Sequence, residues 1–223
     1  MLLGLAFDVY GTLVDPLRIA ERVFDVAGDQ AERFAQVWRE KQLEYSWRHT
    51  LMQRYVTFDE CAREGLRYAA RAFSRNVSPA KEIELIACLQ HLEPYPDAIP
   101  GINALRAQGH KLFAFSNGTR AMLRELLTNC GLLEQLDGVI SVDDVKAFKP
   151  DPRTYELCVA TLGLPLDSCW LVSSNPFDCI GAKATGMHCA WVKRRSLAVF
   201  DPWGGEPDII VDSIERIAPA LPS

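Results

Sequence analysis

The sequence predicts an α/β fold: an open parallel sheet with helices on both faces and a separate helical segment inserted after the first strand. Three observations carry that reading. Residues 2–7 form a short, unbroken apolar run, the pattern of a strand buried on both faces. From about residue 17 to 92 the pattern turns helical throughout. After about residue 95, strand-like and helix-like stretches alternate to the end of the chain.

The elements follow in order. The first strand ends in Asp8-Val9-Tyr10-Gly11-Thr12, where Gly11 permits a sharp turn. In the insertion, Phe34, Val37, Trp38 and Lys41 lie at helical spacing, and further helices are predicted over roughly 43–55, 58–74 and 79–91. Ser78-Pro79 marks a helix start, with serine as cap and proline at the first helical position. Prolines 94, 96 and 100 with Gly101 punctuate the return of the chain. Strands are then predicted at 110–115, 138–142, 168–173 and 188–192, and helices near 101–108, 119–129, 152–162 and 177–186. A Pro- and Gly-rich stretch, 201–207, reads as a surface loop. The chain therefore divides into a Rossmann-like core, residues 1–14 and 95–223, and an all-helical cap, residues 15–94.

Composition narrows the function classes. The net charge is -5, from 24 basic and 29 acidic residues, without the basic excess of a nucleic-acid binder. Seven cysteines at irregular spacings, with no CxxC pair, argue for reduced thiols and a cytoplasmic protein, against a disulfide framework or a zinc site. The apolar N-terminus lacks a basic leader and reads as a strand, and no apolar run is long enough to span a bilayer.

In open α/β sheets, ligands bind at the carboxyl ends of the strands. Here those ends carry Asp8 and Thr12; Ser116-Asn117-Gly118; and Ser173-Ser174-Asn175 with Asp178 close behind. Lys149-Pro150-Asp151 follows the third core strand. A single polar strand end would mean little, because Asp, Ser and Asn also cap helices. Four such segments converging on one rim, beneath a helical insertion, point to a small enclosed site.

In combination, Phe7-Asp8-Val9-Tyr10-Gly11-Thr12-Leu13, Ser116-Asn117-Gly118, Lys149-Pro150-Asp151 and Ser173-Ser174-Asn175-Pro176-Phe177-Asp178 resemble the motifs of the haloacid dehalogenase superfamily. Trp38-Arg39-Glu40-Lys41-Gln42-Leu43-Glu44-Tyr45 resembles the cap of its L-2-haloacid dehalogenase branch. The superfamily is mostly phosphatases, in which a second aspartate two residues after the first acts as acid and further carboxylates hold magnesium. Tyr10 and the Ser173-Ser174 pair stand at those positions. Mg²⁺ wants hard oxygen ligands, usually carboxylates, so these replacements favour the dehalogenase. A magnesium-dependent phosphatase of a small metabolite is the alternative, and a non-catalytic binding protein a second one.

The resemblance implies a short L-2-haloacid or haloacetate as the small-molecule partner, no cofactor and no metal. It assigns the nucleophile to Asp8, whose carboxylate would form an ester with substrate carbon. Thr12 would steady Asp8, and Lys149 would keep it ionised. Ser116 with the amides of Val9, Tyr10 and Asn117 would hold the substrate carboxylate, and Tyr10 would line the pocket. Arg39, Asn117 and Phe177 would receive the halide. Phe177 departs from the tryptophan often found there in the branch. Ser173, Asn175 and Asp178 would position or activate water, and Tyr155 would buttress Lys149 and Asp178. Homodimerisation through core or cap helices is implied by the resemblance alone.

Overall fold

The computed structural model describes residues 1–222; Ser223, the last residue of the expected core, lies outside the described residues. Six strands form one parallel sheet in the order β3-β2-β1-β4-β5-β6. They are β1 Gly4–Phe7, β2 Lys111–Ser116, β3 Gly138–Ser141, β4 Cys169–Ser173, β5 His188–Val192 and β6 Ile209–Val211. Between β1 and β2 lie α1 Phe24–Ala27, α2 Ala31–Leu51, α3 Phe58–Ala72, α4 Pro79–Cys88 and α5 Ala98–Ala107. The remaining helices are α6 Arg120–Asn129 after β2, α7 Pro152–Leu162 after β3, α8 Pro176–Ala184 after β4 and α9 Ile217–Ala220.

Local chemistry explains the boundaries. All of β1 is buried, as an apolar strand covered on both faces must be. Ser78 Oγ accepts from the Lys81 amide at 3.2 Å and Pro79 opens α4, as the sequence leads one to expect. Asp151 caps α7 by accepting from the Arg153 amide at 3.0 Å. Two readings change. The helix expected over 43–55 is the second half of α2, which ends at Leu51; the chain then turns through Gln53 at a φ of 54°. The strand β6 was not foreseen, because three residues with Ile210 exposed give too short an apolar signal.

The inserted helices pack on one another and on the sheet's carboxyl edge. Phe34, Trp38, Phe58, Leu66 and Leu85 are buried among them, each worth roughly 1.5–3 kcal/mol of transfer free energy. Trp38 Nε1 donates to the Ala62 carbonyl at 2.7 Å, locking α2 to α3. The chain leaves and re-enters the core side by side: Val14 forms an antiparallel bridge with Pro94, and the Tyr95 amide donates to the Leu13 carbonyl at 2.8 Å. The strand order reverses beside β1, so the ends of β1 and β4 flank the crevice where such sheets bind ligands.

Candidate active site

Asp8 lies one residue past β1, and its amide donates to the Val172 carbonyl at 2.9 Å. The following turn, with Gly11 at a φ of 100°, folds back so that the Thr12 and Leu13 amides donate to the Val9 carbonyl at 3.2 and 2.9 Å. That reversal brings Thr12 Oγ1 onto Asp8 Oδ2 at 2.9 Å. Asn175, the residue before α8, donates from Nδ2 to the same oxygen at 2.8 Å and to the Tyr10 carbonyl at 3.2 Å. Among the described residues, Asp8 Oδ1 has one partner, Lys149 Nζ, at 3.2 Å.

Lys149 is the buried hub of the site. Its ammonium donates to Asp8, to Asp178 Oδ2 at 2.9 Å and to the Phe115 carbonyl at 2.8 Å, and it stands 3.9 Å from the centroid of the Phe115 ring. Burial pulls its pKa down, but the two carboxylates outweigh burial and hold it above the ordinary lysine value. Its amide donates to Asn117 Oδ1 at 3.0 Å, which ties this loop to the end of β2. Asp178 is fully buried. Tyr155 donates its hydroxyl to Asp178 Oδ1 at 2.8 Å, so both carboxylate oxygens are partnered. Burial pushes the Asp178 carboxyl up, against the opposing pull of Lys149 and the Tyr155 hydrogen bond.

The donors around Asp8 form a second group. Ser116 is buried, and its Oγ accepts from the Gly118 amide at 3.3 Å, leaving its own proton free to donate. Among the described residues, the buried amides of Val9, Tyr10 and Asn117 make no hydrogen bond within the chain. Buried N–H groups are nearly always paired. Three unpaired ones and a serine proton free to donate are donors an anion can use. The Tyr10 hydroxyl is likewise buried without a partner.

Arg39 comes down from α2. Its Nη2 reaches the Tyr10 carbonyl at 3.5 Å, its Nη1 donates to Gln42 Oε1 at 2.9 Å, and its guanidinium stands 5.8 and 5.6 Å from the ring centroids of Tyr10 and Phe58. Burial lowers its pKa and Asp8 opposes that shift; a guanidinium stays charged regardless. Arg39, Tyr10 and Asn175 line a cavity of about 340 Å³ at the seam between α2 and the sheet edge.

The structure thus gathers Asp8, Thr12, Lys149, Tyr155, Asn175 and Asp178 into one hydrogen-bonded set, with Val9, Tyr10, Ser116, Asn117 and Arg39 around it. Ser173 is buried at the end of β4 and accepts from the Asn175 amide at 3.1 Å, which orients Asn175. Phe177 is placed differently from the others. Its ring meets Trp47 edge-on, with centroids 5.3 Å apart, and lines a separate apolar cavity. Three residues were missed. Phe58 packs on Tyr10 and Arg39 but reads as ordinary core in sequence. Ser174 lies in the conspicuous Ser173-Ser174-Asn175 run; its amide donates to Thr12 Oγ1 at 2.8 Å and its Oγ to the Gly11 carbonyl at 2.6 Å. Arg194, which donates to the Thr12 carbonyl, sits after β5 with no sequence signal at all.

A partnered aspartate at the tip of the central strand, a buried lysine and a turn with unpaired amides, all under an inserted helical segment, are the parts of a hydrolase site. Comparisons with known proteins agree. Residues 3–186 match the family model for haloacid dehalogenase-like hydrolases. The chain is 35% identical to an (S)-2-haloacid dehalogenase of Pseudomonas putida, covering 92% of this chain and 91% of that one. It is 33% identical to a haloacetate dehalogenase of Moraxella sp. (strain B), covering 96% and 95%. The solved L-2-haloacid dehalogenase of Xanthobacter autotrophicus with chloropropionic acid covalently bound superposes with a TM-score of 0.90 at 32% identity, covering 98% of both chains. The chain belongs to the haloacid dehalogenase-like hydrolases, on the branch of the L-2-haloacid dehalogenases.

Many members of the wider superfamily use magnesium, and the donor set here does not suit it. The two carboxylates that would face such an ion, Asp8 and Asp178, are bridged by the Lys149 ammonium. The Tyr10 carbonyl is taken by Asn175 and Arg39, and the β4 end offers Ser173 and Ser174 where hard carboxylates would be needed.

Proposed function

We propose that this chain is an (S)-2-haloacid dehalogenase that hydrolyses short L-2-haloalkanoic acids or haloacetates to 2-hydroxy acids and halide. The observation that carries it is the pairing of a nucleophile with an anion hole: Asp8 Oδ1, with one partner, beside the unpaired amides of Val9, Tyr10 and Asn117. The substrate carboxylate sits on those amides and on the Ser116 hydroxyl, which turns C2 toward Asp8. Asp8 Oδ1 attacks C2 from behind; the C2–halogen bond breaks, its electron pair leaves with the halide, and C2 inverts.

Arg39 receives the developing halide charge, with the side-chain Nδ2 of Asn117 as a second donor; the Phe177 ring, expected there from the motif, lies instead in the separate apolar cavity with Trp47. Thr12 and Asn175 hold Asp8 by its other oxygen. Water then adds to the carboxyl carbon of the Asp8 ester. Asp178 takes the water's proton, with Asn175 and Ser173 positioning the water and Tyr155 holding Asp178. The ester C–O bond on the carboxyl side breaks, which releases the D-2-hydroxy acid and regenerates the Asp8 carboxylate. Residues 15–94 act as a cap that keeps bulk water from the ester.

The L stereochemistry is supported by the relatives' names. A homodimer and a cytoplasmic setting belong to the same proposal, the latter supported by seven unpaired cysteines. No helix among the described residues is long and apolar enough to cross a membrane.

The test is halide release from chloro-, bromo- and fluoroacetate and from racemic 2-chloropropionate, without added metal. The expected result is halide liberation with loss of the L enantiomer only, abolished by Asp8→Asn in a brief assay. In a single turnover in ¹⁸O-water, the label enters the peptide bearing Asp8. Phosphate-ester cleavage that stops with EDTA, with no halide released, would overturn the proposal.

A further inference from the structure

Arg194, two residues past the end of β5, touches none of the groups assigned to the reaction through their side chains. It does hold the turn that aims them. Its Nε and Nη2 both donate to the Thr12 carbonyl, at 3.2 and 2.6 Å, while Nη1 donates to both oxygens of Asp97 at 2.7 Å. The guanidinium also stands 4.0 Å from the centroid of the Tyr95 ring. Asp97 is itself anchored, because the Ile214 amide donates to its Oδ2 at 2.7 Å. One planar group therefore grips the chain where it leaves the core, at Thr12, and where it returns, at Tyr95 and Asp97. The pair is largely enclosed, with side chains 11% and 14% exposed.

Thr12 matters because its hydroxyl is held on Asp8, the nearer of its two acceptors, with Ser174 Oγ farther away at 3.3 Å. Oγ1 accepts from the Ser174 amide at 2.8 Å, which directs its single proton to Asp8 Oδ2 at 2.9 Å. That geometry depends on the orientation of the Thr12–Leu13 peptide, and Arg194 fixes this peptide by its oxygen. A planar fork is suited to this in a way a lysine is not, since lysine offers a point charge on a flexible stem. Misplacing a reacting group by about 1 Å can slow an enzyme on the order of 100-fold.

We propose that Arg194 is a positioning residue for the attack by Asp8, acting through the Thr12 carbonyl; this rests on the dehalogenase reading given above. Five variants test it: Arg194→Met, Arg194→Lys, Asp97→Asn, Thr12→Val and Arg194→Met combined with Thr12→Val. Arg194→Met is expected to lower kcat by roughly 10- to 100-fold with KM within about twofold. Arg194→Lys recovers part of that loss. Asp97→Asn weakens the same ion pair and lowers the melting temperature, but leaves Thr12 held, so kcat falls by less than about threefold. The double variant is no slower than Thr12→Val alone, because the two residues act in series.

Hydrogen exchange supplies a readout apart from activity: the peptide covering 8–15 loses protection in Arg194→Met and keeps it in Asp97→Asn. Equal kcat losses in Arg194→Met and Asp97→Asn would make the role merely structural and overturn the inference. So would multiplying effects in the double variant, or unchanged exchange over 8–15 in Arg194→Met. If the unmodified chain releases no halide, the dehalogenase reading is what fails, while the exchange arm still decides whether Arg194 holds the turn.

Discussion

Lys149 Nζ lies 2.9 Å from Asp178 Oδ2, and the two side chains are 1% and 0% exposed. A buried pair this enclosed depends on both partners, because the survivor of a deletion is left as an uncompensated charge beside Asp8. Lys149→Met is expected to abolish halide release and to destabilise the fold by about 3–5 kcal/mol. Urea denaturation of the variant should show the deficit shrinking as pH falls, because one carboxyl then takes a proton. In the unmodified chain the raised Lys149 pKa works the other way. Its contribution to stability is complete below the ordinary lysine value of 10.5 and is lost as pH climbs through the raised folded value.

Tyr155 sets the acid limb of the pH profile. A general base must be ionised, and burial pushes the Asp178 carboxyl above its ordinary 3.8, so kcat should rise with pH through a value higher than that. The Tyr155 hydroxyl favours the carboxylate form. Tyr155→Phe removes it, so the limb should move to higher pH. A kcat–pH profile that moves the other way would show that Asp178 is not the group being titrated.

Tyr10→Phe separates folding from binding. The Tyr10 hydroxyl is buried without a partner among the described residues, so deleting it should leave the melting temperature unchanged or higher. If that hydroxyl meets substrate, KM rises by roughly 2- to 10-fold, the worth of one neutral hydrogen bond. A clear loss of stability would show that the hydroxyl has a partner in the free protein.

Gly181 faces Tyr155 across the α7–α8 contact. A Cβ placed there would lie 2.3 Å from the Tyr155 hydroxyl oxygen. Gly181→Ala should therefore displace the tyrosine, at a stability loss of about 1–3 kcal/mol. It should also move the kcat–pH profile in the same direction as Tyr155→Phe, which a calorimetric scan and a pH series together would check.

The sequence carried much of this architecture because the strand ends are local features. Asp8, Ser116 and Ser173 each follow an apolar run, and the period of the pattern alone puts them on the carboxyl edge. Lys149 was legible only as part of a set, since nothing local says that a lysine before proline is 1% exposed. Phe58 and Arg194 were illegible for opposite reasons. Phe58 has the character of any core residue at a helix start, whereas Arg194 has the character of any solvated loop arginine; only tertiary packing sets one against Arg39 and the other against Thr12. Phe177 illustrates the remaining difficulty: its position in the motif is plain, but the direction of its ring depends on Trp47, far away in α2.

Three strands whose ends carry the site, β2, β1 and β4, lie inside the six-stranded sheet; the short β6 lies at one margin, and β3, followed by the loop that carries Lys149, lies at the other. Fraying begins at margins, where few neighbours resist it. The β6 margin can therefore loosen, or drift in composition, without disturbing the reacting groups, whereas the β3 margin cannot, because Lys149 follows it. Under mild denaturant, turnover should outlast the loosening of β6 and end when the β3 edge releases Lys149, so that catalysis gauges the integrity of that side of the sheet.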